Sequence, residues 1–305
     1  MARVNRSRSI KRKRTRRTNA EIAELKAAIM SVFEEIRPQT GRQVFYQLAS
    51  RLQVIPKTEA QYKSTVIRLL TKMRRSGELP FEYLADNTRW MRKPRSYSSL
   101  EAMLRNTAAT YRRSVWDNQD SYVEIWLEKD ALAGVFYEVT SAWDVPLMVT
   151  RGFASLSFLY SAAEEIKAQA DAGKEVVIYY FGDHDPSGVI NDRVIERDLR
   201  EFAGGADFGF ERMAVTLDQI AEWDLPTRPT KKKGTHAKSF EGDSVELDAI
   251  PPKTLKWLIE WCITHHIYQP SYDALMAAEE SERETLAAFI SSFKGNGVEA
   301  DSLEF

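Results

Sequence analysis

Acidic side chains follow directly after two apolar stretches that are predicted to be strands. Residues 123–127 lead into Glu128, and residues 176–181 lead into Asp183 and Asp185. Both stretches are rich in β-branched and aromatic residues, which is typical of buried strands. Carboxylates gathered at neighbouring strand ends repel one another unless a cation lies between them. Because oxygen ligands with space for water favour Mg²⁺, we predict a magnesium site made by these three acids.

A simpler interpretation is that each acid only caps the helix that follows it, since Asp is common at helix N-caps. Helical patterns do follow both stretches, over residues 132–139 and 189–199. Alternating strands and helices predict a parallel sheet. In such a sheet the chemistry lies beyond the carboxyl ends of the strands, which is where these acids are placed. The sequence therefore indicates an α/β fold.

The order of these motifs resembles the Toprim domain, in which a glutamate follows one strand and an Asp-x-Asp pair follows a later one. Arg151-Gly152 follows the strand between them. The sequences Glu-Lys-Asp-Ala at 128–131 and Asp-His-Asp-Pro-Ser-Gly at 183–188 are similar to the A subunit of topoisomerase VI and the related meiotic double-strand-break transesterase. Glu-Leu-Asp-Ala at 246–249, in a predicted last strand over 245–249, also resembles this family. The resemblance implies a Toprim Rossmann-like parallel-sheet domain over 121–305, including C-terminal helices.

Residues 20–95 are predicted to form an N-terminal, mostly α-helical winged-helix domain. Apolar positions three or four residues apart indicate three helices, and a short wing is expected over 79–93. Cations on the third helix and the wing are typical of a DNA-binding face, although a small three-helix packing domain with solvated charges is the alternative. DNA contacts are predicted for Lys63, Arg68, Lys72, Arg89, Arg151 and Lys232. For Arg151 a structural salt bridge is equally expected.

Tyr46 is the predicted nucleophile. It lies four residues after Arg42 on the second helix and away from the apolar positions, so we expect it to point out of the core beside a cation. A cation favours the phenolate and also binds phosphate. The A-subunit family carries its nucleophile in an Arg-Asp-hydrophobic-aromatic-Tyr pattern, which residues 42–46 resemble except for Gln43. Tyr62 is the alternative, although it falls on the apolar side of its helix.

The resemblance implies a homodimer that cuts double-stranded DNA. Tyr46 of one protomer would form a 5′-phosphotyrosyl link, assisted by Arg42. The carboxylates of the other protomer would hold Mg²⁺, and Glu128 could also transfer a proton. No segment resembles an ATP site, so strand passage implies a separate ATPase B subunit of the GHKL type. A hydrolytic Toprim endonuclease and a non-catalytic winged-helix DNA-binding accessory protein are the alternatives.

Length and composition favour a two-domain protein of the cytoplasm, and the resemblance implies that it is associated with the nucleoid. The chain has 305 residues, of which 43% are hydrophobic and 29% are charged, and a linker helix is expected over 96–120. No apolar run is long enough to cross a membrane, and a single cysteine suits a reducing cytoplasm. Residues 1–17 carry nine Arg or Lys and no acid, which leaves a net charge of −10 on the rest because the whole chain carries −1. We therefore expect residues 1–19 to be a disordered basic arm that contacts nucleic-acid phosphates.

Overall fold

The computed structural model describes residues 17–85, 96–152, 154–230, 240 and 242–293. Most of the basic arm over 1–19, the wing residue Arg89 and the loop residue Lys232 lie outside the described residues. The helices are α1 (Asn19–Glu35), α2 (Gly41–Tyr46), α3 (Glu59–Gln61), α4 (Arg68–Arg75), α5 (Leu100–Thr110), α6 (Ala133–Ala142), α7 (Leu156–Asp171), α8 (Gly188–Phe202), α9 (Leu217–Glu222), α10 (Pro252–Thr264) and α11 (Gln269–Phe293). The strands are β1 (Ser121–Leu127), β2 (Leu147–Val149), β3 (Glu175–Phe181) and β4 (Gly209–Ala214).

The N-terminal region is helical at the predicted positions. The Thr18 and Thr40 side chains begin α1 and α2, each through a reciprocal capping box with the residue three positions later. A π-helical turn over Gln47–Arg51 continues α2, and another over Tyr62–Ile67 joins α3 to α4. After α4 the described residues contain a short 3₁₀ turn and a single parallel bridge between Gln39 and Leu84. These residues show a helical domain and do not define a wing.

The sheet is parallel, as predicted, with the strand order β2-β1-β3-β4. Leu127 at the end of β1 lies opposite Phe181 at the end of β3. The acids that follow these two strands therefore leave the sheet side by side at its carboxyl edge.

Both faces of the sheet are covered because successive strand residues point in opposite directions. Val123 and Ile125 of β1 belong to the same apolar cluster as the N-terminal helices, α6 and α10. Tyr122 and Trp126 point to the other face and join a second cluster with α7 and α8. The first cluster runs without a break from the helical region to the sheet, so it fixes α2 relative to the sheet edge.

The predicted strand over 245–249 is wrong. Val245 makes an isolated bridge with His184, and Leu247–Ala249 is a 3₁₀ turn. The cause is local, because the Asp183 carboxylate accepts a hydrogen bond from the Leu247 amide at 2.8 Å. That contact removes the amide from strand pairing and turns the chain across the sheet edge.

The C-terminal helices complete the packing. The inner face of α10 buries Leu255, Ile259 and Cys262, and α11 packs along α5. Within the described residues, none of the helices is both long enough and apolar enough to pass through a membrane.

One carboxyl group is buried inside the second cluster. Glu124 of β1 is 1% exposed and shares its sheet face with Tyr122 and Trp126. The Tyr122 hydroxyl donates to Glu124 Oε1 at 3.0 Å, and Trp126 Nε1 donates to Oε2 at 2.7 Å. Burial raises the pKa of Glu124 to about 7 despite these two donors. The folded protein therefore favours the protonated form of this group.

The buried carboxyl predicts a specific pH dependence of stability. Because the pKa of Glu124 is raised by folding, unfolding releases a proton between the ordinary value of 4.5 and about 7. The free energy of unfolding should fall across that window by roughly 3 kcal/mol from this group alone. Urea unfolding at about pH 5 and about pH 8 measures the fall. Glu124→Gln has no titrating group at this position, so its free energy of unfolding should decrease by roughly 3 kcal/mol less between the two pH values. An equal decrease in the two proteins would contradict the raised pKa of Glu124.

Candidate active site

Glu128 stands at the end of β1, against the loop that follows β3. Its backbone amide donates to Phe181 O at 2.9 Å, and its Oε2 accepts from the Asp183 amide at 3.2 Å. The loop can approach this closely only because it contains glycines. A Cβ on Gly182 would lie 2.6 Å from Glu128 Oε2, and one on Gly188 would lie 2.2 Å from Asp183 O. The Gly residues of the motif are therefore required by the contact between the two strand ends.

Burial and neighbouring carboxylates raise the proton affinity of Glu128 at this edge. Burial, followed by repulsion from Asp183 and Asp185, raises the pKa of Glu128 to about 7. Burial also raises the pKa of Asp183. Arg212 is the cation that opposes the rise at Glu128, and it does not cancel it. The edge is short of positive charge, which is the condition that we expect of a cation site.

Asp185 also serves as a cap, as the simpler interpretation of the sequence proposed. Its Oδ1 accepts from the amides of Ser187 and Gly188, both at 2.9 Å, at the start of α8. Its Oδ2 is 3.9 Å from the Arg228 guanidinium. Capping occupies one carboxylate oxygen, so the second oxygen remains for another partner.

The donor set suits Mg²⁺ in its chemistry. Asp183 and Asp185 each use Oδ1 to accept backbone amides and leave Oδ2 without a hydrogen bond from the described residues. Oxygen donors of this kind are those that Mg²⁺ prefers. As they stand, however, the described residues hold no group of three His, Cys, Asp or Glu side chains placed to bind a metal ion. The metal site therefore stays a prediction.

A second group of charges lies beside the first and centres on Lys129. Its Nζ contacts Asp248 Oδ2 and lies 3.5 Å from Glu246 Oε2 and 3.9 Å from Asp183 Oδ2. Glu246 and Asp248 are 5% and 1% exposed, and the lysine is the cation beside Asp248, whereas Arg228 pairs with Glu246 at 2.5 Å. Burial alone would lower the pKa of Lys129, but attraction to Asp248, Asp183 and Glu246 outweighs burial and leaves the pKa above its ordinary value.

Two residues of the N-terminal domain bind the same acids. Thr40 Oγ1 donates to Asp248 Oδ1 at 2.6 Å, and Arg42 Nε lies 3.3 Å from Glu246 Oε2. We call Thr40, Arg42, Lys129, Glu246 and Asp248 the latch. It joins the start of α2 to the carboxyl edge of the sheet, across more than two hundred residues of chain.

The prediction that Tyr46 points away from the core is wrong, because its side chain is 6% exposed and belongs to the first apolar cluster. The residue pattern of α2 alone predicts a polar face, whereas the turn at Leu247–Ala249 packs onto α2 from outside. Burial, followed by Glu246, raises the pKa of Tyr46 to about 12, and Arg42, Arg228 and Lys129 offset only part of the rise. Cations do lie near the ring, but the phenol holds its proton at neutral pH.

Tyr62 is half-buried and lies under Arg42. The Arg42 guanidinium carbon is 3.7 Å from the centre of the Tyr62 ring, and the same guanidinium pairs with Glu59 at 2.8 Å. Burial raises the pKa of Tyr62 as well, although Arg42 opposes the rise. Arg42 therefore connects Tyr62 to the latch.

The predicted DNA contacts divide into three groups. Lys63, Arg68 and Lys72 are exposed and line a surface depression of about 650 Å³ together with Arg75. Arg151 pairs with Asp130 at 3.3 Å, as the salt-bridge alternative proposed, and remains largely exposed. Arg89 and Lys232 fall outside the described part of the chain.

The sequence did not reveal two cations that organise the site. A lysine between two acids, such as Lys129, usually belongs to a solvated surface, so its sequence context gives no sign that it is buried. Arg212 of β4 donates to Gly182 O and Asp183 O at 3.1 and 2.7 Å and pairs with Asp192 at 2.6 Å. The sequence feature that could have indicated Arg212 is a lone arginine inside a predicted strand. A guanidinium in that position needs hydrogen-bond acceptors near the sheet edge.

The site thus combines an acid-rich sheet edge, a lysine shared by buried carboxylates, and a helix that presents Arg42 and a covered tyrosine to them. No protein-family model, curated protein or solved structure matches this chain, so its function has to be argued from its own residues.

Proposed function

We propose that this chain is a Mg²⁺-dependent DNA-cleaving transesterase similar to the A subunit of topoisomerase VI, with a winged-helix region followed by a Toprim domain. The resemblance at 128–131 and 183–188 suggests the family. One observation carries the proposal. Arg42 and Lys129 share the Glu246 carboxylate, so the helix that bears Tyr46 and the acids of the sheet edge belong to one ionic cluster.

The proposed reaction exchanges one phosphodiester for another. Tyr46 Oη forms a bond to phosphorus while the bond to the 3′ oxygen breaks, which leaves a 5′-phosphotyrosyl link and a 3′ hydroxyl. The phenol must lose its proton, and the leaving 3′ oxygen must gain one. The Glu128 carboxyl would serve one of these two transfers. Arg42 would offset charge on the phosphate.

Glu128, Asp183 and Asp185 would hold the magnesium ion. When bound, the ion supplies positive charge beside the phosphate. The repulsion that raises the pKa of Glu128 is the observation that supports this donor set, because a bound cation relieves it.

DNA and a second copy are the proposed partners. The depression lined by Lys63, Arg68, Lys72 and Arg75 offers four exposed cations for phosphates. Cutting both strands requires two tyrosines, hence a homodimer in which Tyr46 of each protomer attacks one strand beside the carboxylates of the other protomer. Passage of a second duplex requires ATP hydrolysis by a separate subunit of the GHKL type.

A hydrolytic Toprim endonuclease is the second candidate. The burial of Tyr46 and its pKa of about 12 favour this alternative, because water needs no exposed tyrosine. The same three carboxylates would serve either reaction. The two candidates differ in whether protein remains attached to the cut ends.

Plasmid cleavage tests the proposal. Supercoiled plasmid is incubated with the protein and Mg²⁺, stopped with denaturant, and separated with and without protease treatment. Protein attached to 5′ ends would support the transesterase, whereas cut DNA with free ends would support the endonuclease. No cleavage in Mg²⁺, with or without an added GHKL-type ATPase, would overturn both.

Asp183→Asn tests the donor set in the same assay. Asparagine keeps an acceptor for the Leu247 amide but removes the charge, so we expect Mg²⁺-dependent cleavage to fall at least about a hundredfold. Asp207→Asn changes an exposed acid outside the site and should cleave like the unmodified protein. Equal cleavage by both variants would remove Asp183 from the metal site.

A further inference from the structure

The outer face of α10 carries two exposed tryptophans. Trp257 and Trp261 are 56% and 42% exposed and lie one helical turn apart. The His265 ring stacks on Trp261 at 5.3 Å and holds that indole in place. Single exposed apolar residues are common, but neighbouring tryptophans held on one helix face are typical of an interaction surface.

Opposite charges flank these tryptophans. Lys253 and Glu260 are both exposed, and neither forms an ion pair within the described part of the chain. They are seven residues apart, which places them within about 20° of each other around the helix. Trp257 lies between them along the axis. Lys253 also stands in the first turn of α10, where the dipole of its own helix repels a cation.

We propose that two copies of the chain pair through antiparallel α10 helices. A two-fold axis near Trp257 brings Lys253 of each copy opposite the partner's Glu260, so the surface is complementary to itself. The same arrangement places the first turn of one helix, with Lys253, beside the carboxyl-terminal half of the other. The tryptophans then cover each other at the axis.

The size of the surface sets the expected strength. α10 has 13 residues, which at 1.5 Å per residue span about 20 Å. A specific stable dimer buries roughly 1,200 Å² or more in total, and one pair of such helices supplies less. The side chain of Tyr268, just beyond α10, is also exposed. We therefore expect association in the micromolar range.

Charge exchange tests the pairing. In the Lys253→Glu variant, positions 253 and 260 of both copies are acidic, so the paired faces repel each other. In the Glu260→Lys variant, both positions are lysine in both copies, and the faces again repel each other. Each variant alone should dissociate at least about tenfold more readily in sedimentation velocity without DNA. An equimolar mixture of the two variants should associate again, because each acidic face then meets a basic one. The double variant, with both charges exchanged, should dimerise like the unmodified chain.

Matched controls separate this surface from others. Lys167→Glu makes the same charge change on an exposed position of α7 and should leave the association unaltered. Trp257→Ala should weaken it, with circular dichroism showing that the fold persists. A chain that stays monomeric at about 100 µM, or a dimer that both single charge variants leave intact, would overturn the proposal. A monomeric chain would also contradict the proposed homodimer, whereas a dimer that both charge variants leave intact would keep the homodimer and the proposed reaction and exclude only this surface.

Discussion

Tyr46→Phe is expected to abolish covalent attachment of the protein to DNA, with cleavage falling at least about a thousandfold. The substitution removes only the hydroxyl that would attack phosphorus. The ring that packs against Phe45 at 5.4 Å remains, so the apolar cluster should keep its structure. Labelled plasmid, retained on filters after denaturation, measures the protein attached to cut ends.

Two further tyrosine variants make this result specific. Tyr62→Phe changes the other tyrosine beside Arg42 and should retain attachment. Tyr160→Phe changes an exposed tyrosine of α7 and should behave like the unmodified chain. Attachment that survives in Tyr46→Phe and disappears in Tyr62→Phe would transfer the nucleophile to Tyr62. Cleavage that is unaltered in all three variants would favour the hydrolytic endonuclease.

Lys129→Met is expected to be the most destabilising single change in the latch. It leaves Asp248 buried without a cation, whereas Glu246 keeps Arg228 at 2.5 Å. Removing one partner of a buried ion pair lowers the free energy of unfolding by about 3–5 kcal/mol. Urea unfolding monitored by circular dichroism gives the change directly.

The surface pair of Lys256 with Glu138 provides the control. The Lys256 ammonium lies 2.7 Å from the Glu138 carboxylate, which is exposed. Lys256→Met should therefore lower the free energy of unfolding by about 1 kcal/mol or less. Adding Asp248→Asn to Lys129→Met should restore part of the loss, because the uncompensated charge is then gone. Equal effects at Lys129 and Lys256 would mean that the latch is solvated and contributes little.

The sheet and its acidic edge could be predicted because their signals are local. An apolar run of strand length, an acid after it and a helical pattern next to it all lie within about twenty residues, and parallel topology then brings the strand ends together. Gly182 and Gly188 belong to the same local motif. Their requirement for close approach is visible only once the Glu128 carboxylate has been placed.

The orientation of Tyr46 could not be predicted in this way. Its helix face looks polar when α2 is considered alone, yet the turn at Leu247–Ala249 covers it from a distant part of the chain. The hydrogen bond from Thr40 to Asp248 joins residues 208 positions apart. Periodicity within one helix carries no information about such a partner. The strand prediction over 245–249 failed for a related reason, because a single contact from Asp183 redirects the Leu247 amide.

The latch couples two events that are chemically separate. Any movement that uncovers Tyr46 by lifting α2 from the sheet edge must also break the contacts of Thr40 and Arg42 with Asp248 and Glu246. Acids that have lost these partners attract cations more strongly. A phosphate that binds the lifted helix should raise the affinity of the sheet edge for a divalent ion. Because linkage is reciprocal, the bound ion should raise the affinity of the helix for the phosphate by the same factor. In the proposed reaction, Mg²⁺ and DNA should therefore bind cooperatively.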